Sequence, residues 1–172
     1  MRRWLASLAV VAASVAGGAS GTLAQDIPLE YRVKAAYLFN FLKYVEWPDG
    51  AVTGPFTICV AGRNPFGAVL AETVSGERIG ERTVMARVVA EPDPACHVLF
   101  VPRTTTAGPY LRGAPRALTV GESADFLGDG GAIVFVQEGA NVRFQINEDA
   151  AARAGLRISS RLLRLSRGPA TR

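Results

Sequence analysis

Side chains that commonly carry out catalysis are scarce in this sequence of 172 residues. His97 is its only histidine, so neither a two-histidine metal site nor a relay between two histidines can be assembled from the chain. His97 begins an apolar stretch that ends at Val101, and we expect a structural role at the rim of a sheet rather than a ligand role. The neighbouring Cys96 is expected in a disulfide, which argues against a nucleophilic cysteine–histidine pair.

Two glycine-containing stretches match known motifs only in part. Gly121-Glu122-Ser123-Ala124-Asp125 places a serine after a strand, as in the nucleophile elbow of hydrolases, but Asp125 replaces the final glycine and only His97 could act as base. We expect the Ser123 hydroxyl to cap a helical turn, with a hydrolase as the weakest alternative. Gly128-Asp129-Gly130-Gly131 lacks the spacing and the lysine of a phosphate-binding loop and is typical of a turn. From the sequence we therefore expect a protein that is not an enzyme and that has no catalytic residue, no bound metal and no cofactor.

Three arginines indicate a different chemistry, the binding of a small anion. Arg63 directly follows a predicted strand and its glycine, and Arg164 and Arg167 lie near the end of the chain. The alternative is that these side chains only solvate a surface. If they bind, the protein is a receptor for a small ligand such as an anion, a nucleotide or an amino acid.

The first 24 residues predict export. Arg2 and Arg3 precede an apolar run from Trp4 to about Ala16, and Thr22-Leu23-Ala24 supplies the small residues of a cleavage site, as in a secretory signal peptide. A transmembrane anchor is the alternative, but the apolar run falls short of the roughly 20 residues that cross a bilayer. We expect secretion through the Sec route with cleavage after Ala24, which leaves residues 25–172.

The charge of the remaining chain is nearly balanced. Loss of residues 1–24 leaves 17 of the 19 basic residues against 15 acidic ones, a net charge of +2. A nucleic-acid-binding protein would be expected to show a basic stripe with interleaved aromatic residues. Because the basic residues are instead spread thinly, we expect no nucleic-acid partner.

Cys59 and Cys96 are the only cysteines of the sequence. In an oxidising exported compartment an even pair is a candidate disulfide. Such a bridge would close a loop of about 38 residues, for which the chain-entropy model gives on the order of 4 kcal/mol. The alternative is two inert, buried thiols in neighbouring strands, and we favour the disulfide.

Hydrophobic patterning predicts the elements that position these residues. Asp26, Pro28 and Glu30 are expected to start a helix that continues to about Tyr44. Strands are predicted near residues 56–61, 83–90, 97–101, 118–120, 132–136 and 142–146, with helical segments near 65–73, 105–111, 123–127, 147–154 and 159–166. Residues 76–82 are expected to form a loop, and Leu162, Leu163 and Leu165 the apolar side of the last helix.

This alternation of apolar strands and short helices predicts one α/β domain over residues 25–172. Continuous apolar strands are typical of a mainly parallel sheet with helices on both faces. The last two predicted strands are joined by residues 137–141, whose length and glycine favour a C-terminal antiparallel hairpin. No repeat, linker or low-complexity tract divides the chain.

Several blocks together resemble the YfiR family of exported bacterial proteins, in order and over essentially the whole mature chain. The first block is the opening helix Glu30–Phe41 with the segment Val45-Glu46-Trp47-Pro48 that follows it. The later blocks are Ile58–Gly62 with Asn64–Gly67, Cys96–Val101, Leu118–Ser123 with Phe126, Gly131 with Ile133, Val142–Asn147, Ala154–Leu156, Ile158–Ser160 and Leu162-Leu163. No single block is decisive, but the set is specific.

The resemblance implies a regulatory function. It implies a periplasmic repressor that acts on the periplasmic sensor domain of an inner-membrane diguanylate cyclase and is itself sequestered by an outer-membrane lipoprotein. By the same resemblance, release of the cyclase is expected to raise cyclic di-GMP and to favour biofilm formation. The resemblance also implies an α/β fold, a possible homodimer, and a structural disulfide between Cys59 and Cys96. The second cysteine pair that the family carries towards the hairpin has no counterpart in this sequence.

Overall fold

The structure, a computed structural model, describes residues 26–166. In chain order the elements are α1 (Leu29–Tyr44), β1 (Val45–Glu46), β2 (Phe56–Ala61), α2 (Val69–Val74), β3 (Arg78–Ile79), β4 (Arg82–Val89), β5 (Val98–Val101), α3 (Ala107–Gly113), β6 (Leu118–Gly121), β7 (Ile133–Glu138), β8 (Asn141–Ile146), α4 (Glu148–Arg153), β9 (Arg157–Ile158) and α5 (Ser160–Leu165). The predicted signal peptide and Arg167 lie outside the described residues, so the cleavage after Ala24 stays a prediction.

A seven-stranded sheet forms the centre of the fold, in the order β3-β4-β2-β5-β6-β7-β8. The five strands from β4 to β7 are parallel to their neighbours, and β3 and β8 add an antiparallel pairing at each edge. This architecture confirms the predicted α/β domain with a mainly parallel sheet and a C-terminal hairpin. The hairpin is tighter than predicted, because Glu138 pairs with Asn141 and only Gly139 and Ala140 remain in the loop.

Helix α1 packs along one face of the sheet. Its carboxyl-terminal half is buried on most sides, and the ring of Phe41 lies 6.0 Å from that of Phe135 and 5.3 Å from that of Phe144. The cap of α1 differs from the prediction: Pro28 is the N-cap, and Asp26 makes an exposed ion pair with Arg32 at 3.5 Å instead. The predicted helix starts at Asn147 and Ser159 are confirmed, since each side chain accepts a hydrogen bond from the backbone N–H three residues further on, of Ala150 and Leu162 respectively.

Alternating side chains of the strands build a core on each face. The larger core joins one face to residues of α1, α2, α4 and α5, whereas the smaller core contains Tyr110 of α3. The predicted Cys59–Cys96 disulfide is present in the smaller core, and both cysteines are buried. It ties the middle of β2 to the residue that precedes His97 and β5.

Four short elements depart from the prediction. Residues 76–82 contain β3 and the start of β4 instead of a plain loop, and β1 and β9 form a separate two-stranded antiparallel sheet. In α5 only Leu162 is buried, while Leu165 is 61% exposed, so the predicted apolar side is narrower. Within residues 26–166 no helix is both long and apolar enough to cross a bilayer.

Candidate functional site

The carboxyl ends of β2, β5 and β6 enclose a crevice of about 360 Å³, which we call the carboxyl-edge crevice. After β2 the chain forms β4, which pairs with one side of β2, and then β5, which pairs with the other side of β2. The strand order therefore reverses between β2 and β5, and α/β proteins bind ligands at such a switch point. The crevice is lined by Asp26, Ile27, Pro28, Tyr31, Arg63, Asn64, Pro65, Gly67, Pro102, Arg103, Thr104 and Glu122.

Two loops that touch each other bring Arg63 and Arg103 to this crevice. Gly62, which follows β2, has a φ of +67°, a conformation that strongly favours glycine. A Cβ atom at Gly62 would lie 2.9 Å from Oγ1 of Thr105, and that hydroxyl donates a hydrogen bond of 3.2 Å to the carbonyl of Ala61. The loop after β2 and the loop after β5 are thus held together by a contact that needs glycine.

A buried ion cluster underlies the crevice. Lys34 of α1 donates hydrogen bonds to Glu30 and to Glu122, and the side chains of Lys34 and Glu122 are each only 3% exposed. Glu122 also accepts a hydrogen bond of 3.0 Å from the backbone N–H of Arg103. Since Lys34 lies on α1, Arg103 after β5 and Glu122 after β6, the cluster ties the helix to two strand ends.

Tyr31 sits above this cluster, with its ring 4.8 Å from the Lys34 ammonium. Burial, together with the negative charges of Glu122 and Glu30, raises the pKa of Tyr31 to about 12. The phenol is therefore protonated at any physiological pH. Its ring also packs edge-on against Phe66 at 5.4 Å, which fixes one wall of the crevice.

Of the three arginines predicted to bind a ligand, only Arg63 lines the crevice. Arg164 lies on α5, whose preceding Ser159 bonds to the carbonyl of Tyr44 at the far end of α1. Because α1 has 16 residues and is about 24 Å long, the crevice at its start and Arg164 near its end lie at opposite ends of this helix. Arg167 lies outside the described residues, and ligand binding by all three stays a prediction.

Sequence reasoning missed Arg103 and the burial of Lys34 against Glu122. A signal for Lys34 was present, because this lysine shares a helix face with Tyr31, Tyr37 and Leu38 and so faces the core. Arg103 follows Pro102 directly after β5, which is the position that Arg63 holds relative to β2. A comparison of the residues after each strand would have paired the two arginines.

A second cavity, of about 710 Å³, lies at the opposite, amino-terminal edge of the sheet. Trp47, His97, Arg116 and Arg153 contribute to its wall. The Nε1 atom of Trp47 is buried there without a hydrogen-bond partner among the described residues. The wall is completed by Pro48, Ala51, Pro94, Cys96, Pro115, Ala154 and Gly155.

His97 lies at the sheet rim, where its ring makes structural contacts. Its Nδ1 accepts a hydrogen bond of 3.0 Å from the N–H of Thr57, and its own N–H donates to the Thr57 carbonyl at 2.9 Å. Burial, and to a lesser degree the charge of Arg82, lowers the pKa of His97. The neutral ring is thereby favoured, as the acceptor role of Nδ1 requires.

The geometry argues against a serine hydrolase. Ser123 lies at the carboxyl edge and His97 at the amino edge, and β5 alone separates the two edges by about 13 Å at the usual rise of a strand. The expected hydroxyl cap is also wrong, since the turn is closed by the Ser123 carbonyl, which accepts from the Phe126 N–H at 3.1 Å. Residues 26–166 hold no group of three or more histidine, cysteine or acidic side chains placed to bind a metal ion.

A family model described as YfiR/HmsC-like matches residues 31–167, which include both edges of the sheet. No curated protein matches the chain.

Proposed function

Because this chain belongs to the YfiR/HmsC-like family, whose members are periplasmic regulators of diguanylate cyclase signalling, we propose that it is an exported repressor of a diguanylate cyclase. In this proposal residues 1–24 are a cleaved signal peptide, and residues 25–172 bind the periplasmic part of the membrane-bound cyclase or of a similar sensor. Repression lowers cyclic di-GMP and biofilm formation. An outer-membrane lipoprotein that sequesters the repressor, and a homodimer, are further partners in the proposal.

The observation that carries the proposal is the family match over residues 31–167. The family is a regulatory one without catalysis, and its members interact with a partner signalling protein. A compact exported domain that influences a cytoplasmic messenger has to act through a protein that spans the membrane. Binding of the outer part of such a protein is the simplest way to do so.

The surface of β4 supports a protein partner. The strand β3 has two residues and pairs only with Arg82 and Thr83, so most of the outer edge of β4 has no strand beside it within the described chain. Met85 and Val88, on opposite faces of this edge, are 48% and 50% exposed. Open strand edges with apolar side chains are surfaces to which other chains add a strand.

Partner capture tests the proposal. A tagged protein recovered from the periplasm is mixed with a detergent extract of the membranes, and the bound proteins are identified. We expect a membrane protein with a cyclase or related signalling domain, and we expect deletion of the gene to raise cyclic di-GMP. Recovery of no membrane signalling protein, together with unchanged cyclic di-GMP, overturns the proposal.

Substitutions on β4 locate the contact. Met85→Asp with Val88→Asp should lower the amount of captured partner roughly tenfold, because a carboxylate buried without a partner costs more than about 1.4 kcal/mol. Leu165→Asp on α5 is the matched control, since it changes another exposed apolar residue, away from β4. Equal capture by all three proteins would move the partner surface away from β4.

A further inference from the structure

We propose that the carboxyl-edge crevice binds a small organic dianion, with Arg63 and Arg103 as its two cationic ligands. The inference concerns a surface other than the β4 edge, and it does not depend on the proposed protein-binding function. The sequence analysis grouped Arg63 with Arg164 and Arg167, whereas the fold brings Arg63 together with Arg103.

The charges around the crevice favour an anion. Neither guanidinium, of Arg63 or of Arg103, makes an ion pair or a hydrogen bond with a described residue, although both line the same cavity. The carboxylates that line it are already engaged, Glu122 with Lys34 and Asp26 with Arg32. The two guanidinium groups therefore stay available for charge-assisted hydrogen bonds to a ligand that carries two negative charges.

The dimensions and walls of the crevice limit the ligand. A volume of about 360 Å³ lies at the lower end of the range for small-molecule sites, roughly 300–1,000 Å³. Ile27, Pro28, Pro65 and Pro102 supply stiff, apolar walls. These features fit a short organic body that carries two oxyanion charges, as in a dicarboxylate or a phosphomonoester.

The backbone of the site is held in place before any ligand binds. The Thr105 hydroxyl ties the loop of Arg103 to the strand end that precedes Arg63. Glu122, itself fixed by buried Lys34, accepts from the N–H of Arg103. A site whose backbone is already ordered loses less entropy on binding, which favours affinity for a small ligand.

Calorimetric titration of the exported protein tests the proposal with defined probes. Succinate represents dicarboxylates, glycerol 3-phosphate represents phosphomonoesters, inorganic phosphate reports an anion without an organic body, and glycerol is the uncharged control. We expect succinate or glycerol 3-phosphate to bind more tightly than inorganic phosphate, with no binding of glycerol. Which of the two binds more tightly separates the two ligand types. If neither binds at millimolar concentration, or if inorganic phosphate alone binds, the proposal fails.

Variants then test the two arginines. Arg63→Ala and Arg103→Ala should each weaken binding roughly tenfold to hundredfold, the usual effect of losing a charge-assisted hydrogen bond. Arg63→Lys and Arg103→Lys should lie between these variants and the parent, because lysine keeps the charge but loses the forked geometry. Arg164→Ala is the matched control and should bind like the parent protein. Unchanged affinity in both alanine variants, or an equal loss in Arg164→Ala, overturns the assignment.

The unfolding temperatures of the same variants show whether weaker binding comes from a lost contact with the ligand or from a destabilised fold. Arg63 and Arg103 are exposed, so their alanine variants should unfold, without ligand, at the same temperature as the parent. An alanine variant that unfolds at a lower temperature is judged by its lysine counterpart, which keeps the length and charge of the side chain. Parent-like affinity in both lysine variants contradicts recognition by the arginine fork.

Discussion

Lys34 shows how a single buried charge can organise this fold. The lysine is 3% exposed, and it is held by Glu122 from another part of the chain and by Glu30 from its own helix. Burial of an ion pair is costly, so a well-packed apolar pair is often as stable, whereas removal of one partner leaves a buried charge unpaired. The cluster is thus better suited to fixing the position of α1 against the strand ends than to adding stability.

Substitution of Lys34 separates these two roles. Lys34→Met should lower the free energy of unfolding by about 3–5 kcal/mol, because Glu122 is left buried with no cation. The double variant Lys34→Met/Glu122→Leu removes both charges and should be more stable than the single variant. Urea denaturation of the two proteins measures the difference. A double variant that is less stable than Lys34→Met would contradict a charge-based origin.

His97 makes the stability depend on pH in a predictable direction. Its pKa in the folded protein lies below the value near 6.5 of an unfolded chain, so the unfolded chain binds more protons as the pH falls below about 6.5. Stability contributed by neutral His97 is therefore present at neutral pH and is lost as the pH falls from about 6.5 towards the folded pKa. Protonation also removes Nδ1 as the acceptor for Thr57.

The variant His97→Asn should lose this dependence, since its side-chain oxygen can accept from Thr57 and does not titrate. Thermal unfolding at pH 7 and at pH 5 measures the effect in both proteins. We expect the unfolding temperature of the parent to fall further between pH 7 and pH 5 than that of the variant. Protonation of carboxylates lowers both temperatures equally, so the difference reports His97. The same loss in both proteins would show that His97 does not contribute.

At the scale of the elements, apolar runs are sufficient to predict the strands of the central sheet. The two-residue strands, in contrast, could not be predicted from the sequence. β2 and β5 are buried at every position, so a continuous apolar stretch marks them plainly. β1, β3 and β9 have two residues each, which is too short for any periodic pattern. Their partners are set by where α1 and the turns end, and that information lies in the tertiary fold rather than in the local sequence.

The same limit applies to the candidate site. Arg63 was found because it follows a strand and a glycine, but its true neighbour depends on which strands lie side by side. Strand order places Arg103 next to it, and no local pattern encodes that order. The helix cap at Asn147 was predictable, because a cap depends only on residues within one turn.

The Cys59–Cys96 disulfide links β2 to the segment just before β5, and a double substitution removes it. Cys59→Ala/Cys96→Ala should lower the free energy of unfolding by about 4 kcal/mol, the chain-entropy value for its loop. Denaturation with and without reductant measures this, and reductant should affect the parent but not the variant. Free alkylation of both thiols in the parent without reductant would contradict the bridge.

On the scale of the whole molecule, the proposed anion site and the proposed partner surface lie apart. The crevice is at the carboxyl ends of β2, β5 and β6, and the partner surface is the lateral edge of β4. Arg63→Ala should therefore reduce anion binding and leave partner capture unchanged, while Met85→Asp/Val88→Asp should do the reverse. Calorimetry and partner capture are carried out on four proteins. These are the parent, Arg63→Ala, Met85→Asp/Val88→Asp and the control Leu165→Asp. Loss of both activities in either variant would show that the two surfaces are coupled.

The packing of α1 also has a consequence for the order in which the chain can fold, if export proceeds as proposed. α1 stands near the start of the described chain, yet its Tyr37 and Phe41 rings pack against Phe135 of β7 and Phe144 of β8. The adjoining β1 pairs with β9, near the end of the described chain. In a chain that crosses the membrane amino terminus first, this apolar helix emerges long before its partners. Under the proposed export, Tyr37 and Phe41 therefore wait for Phe135 and Phe144 until the last third of the polypeptide arrives, and the fold closes only after that part has crossed.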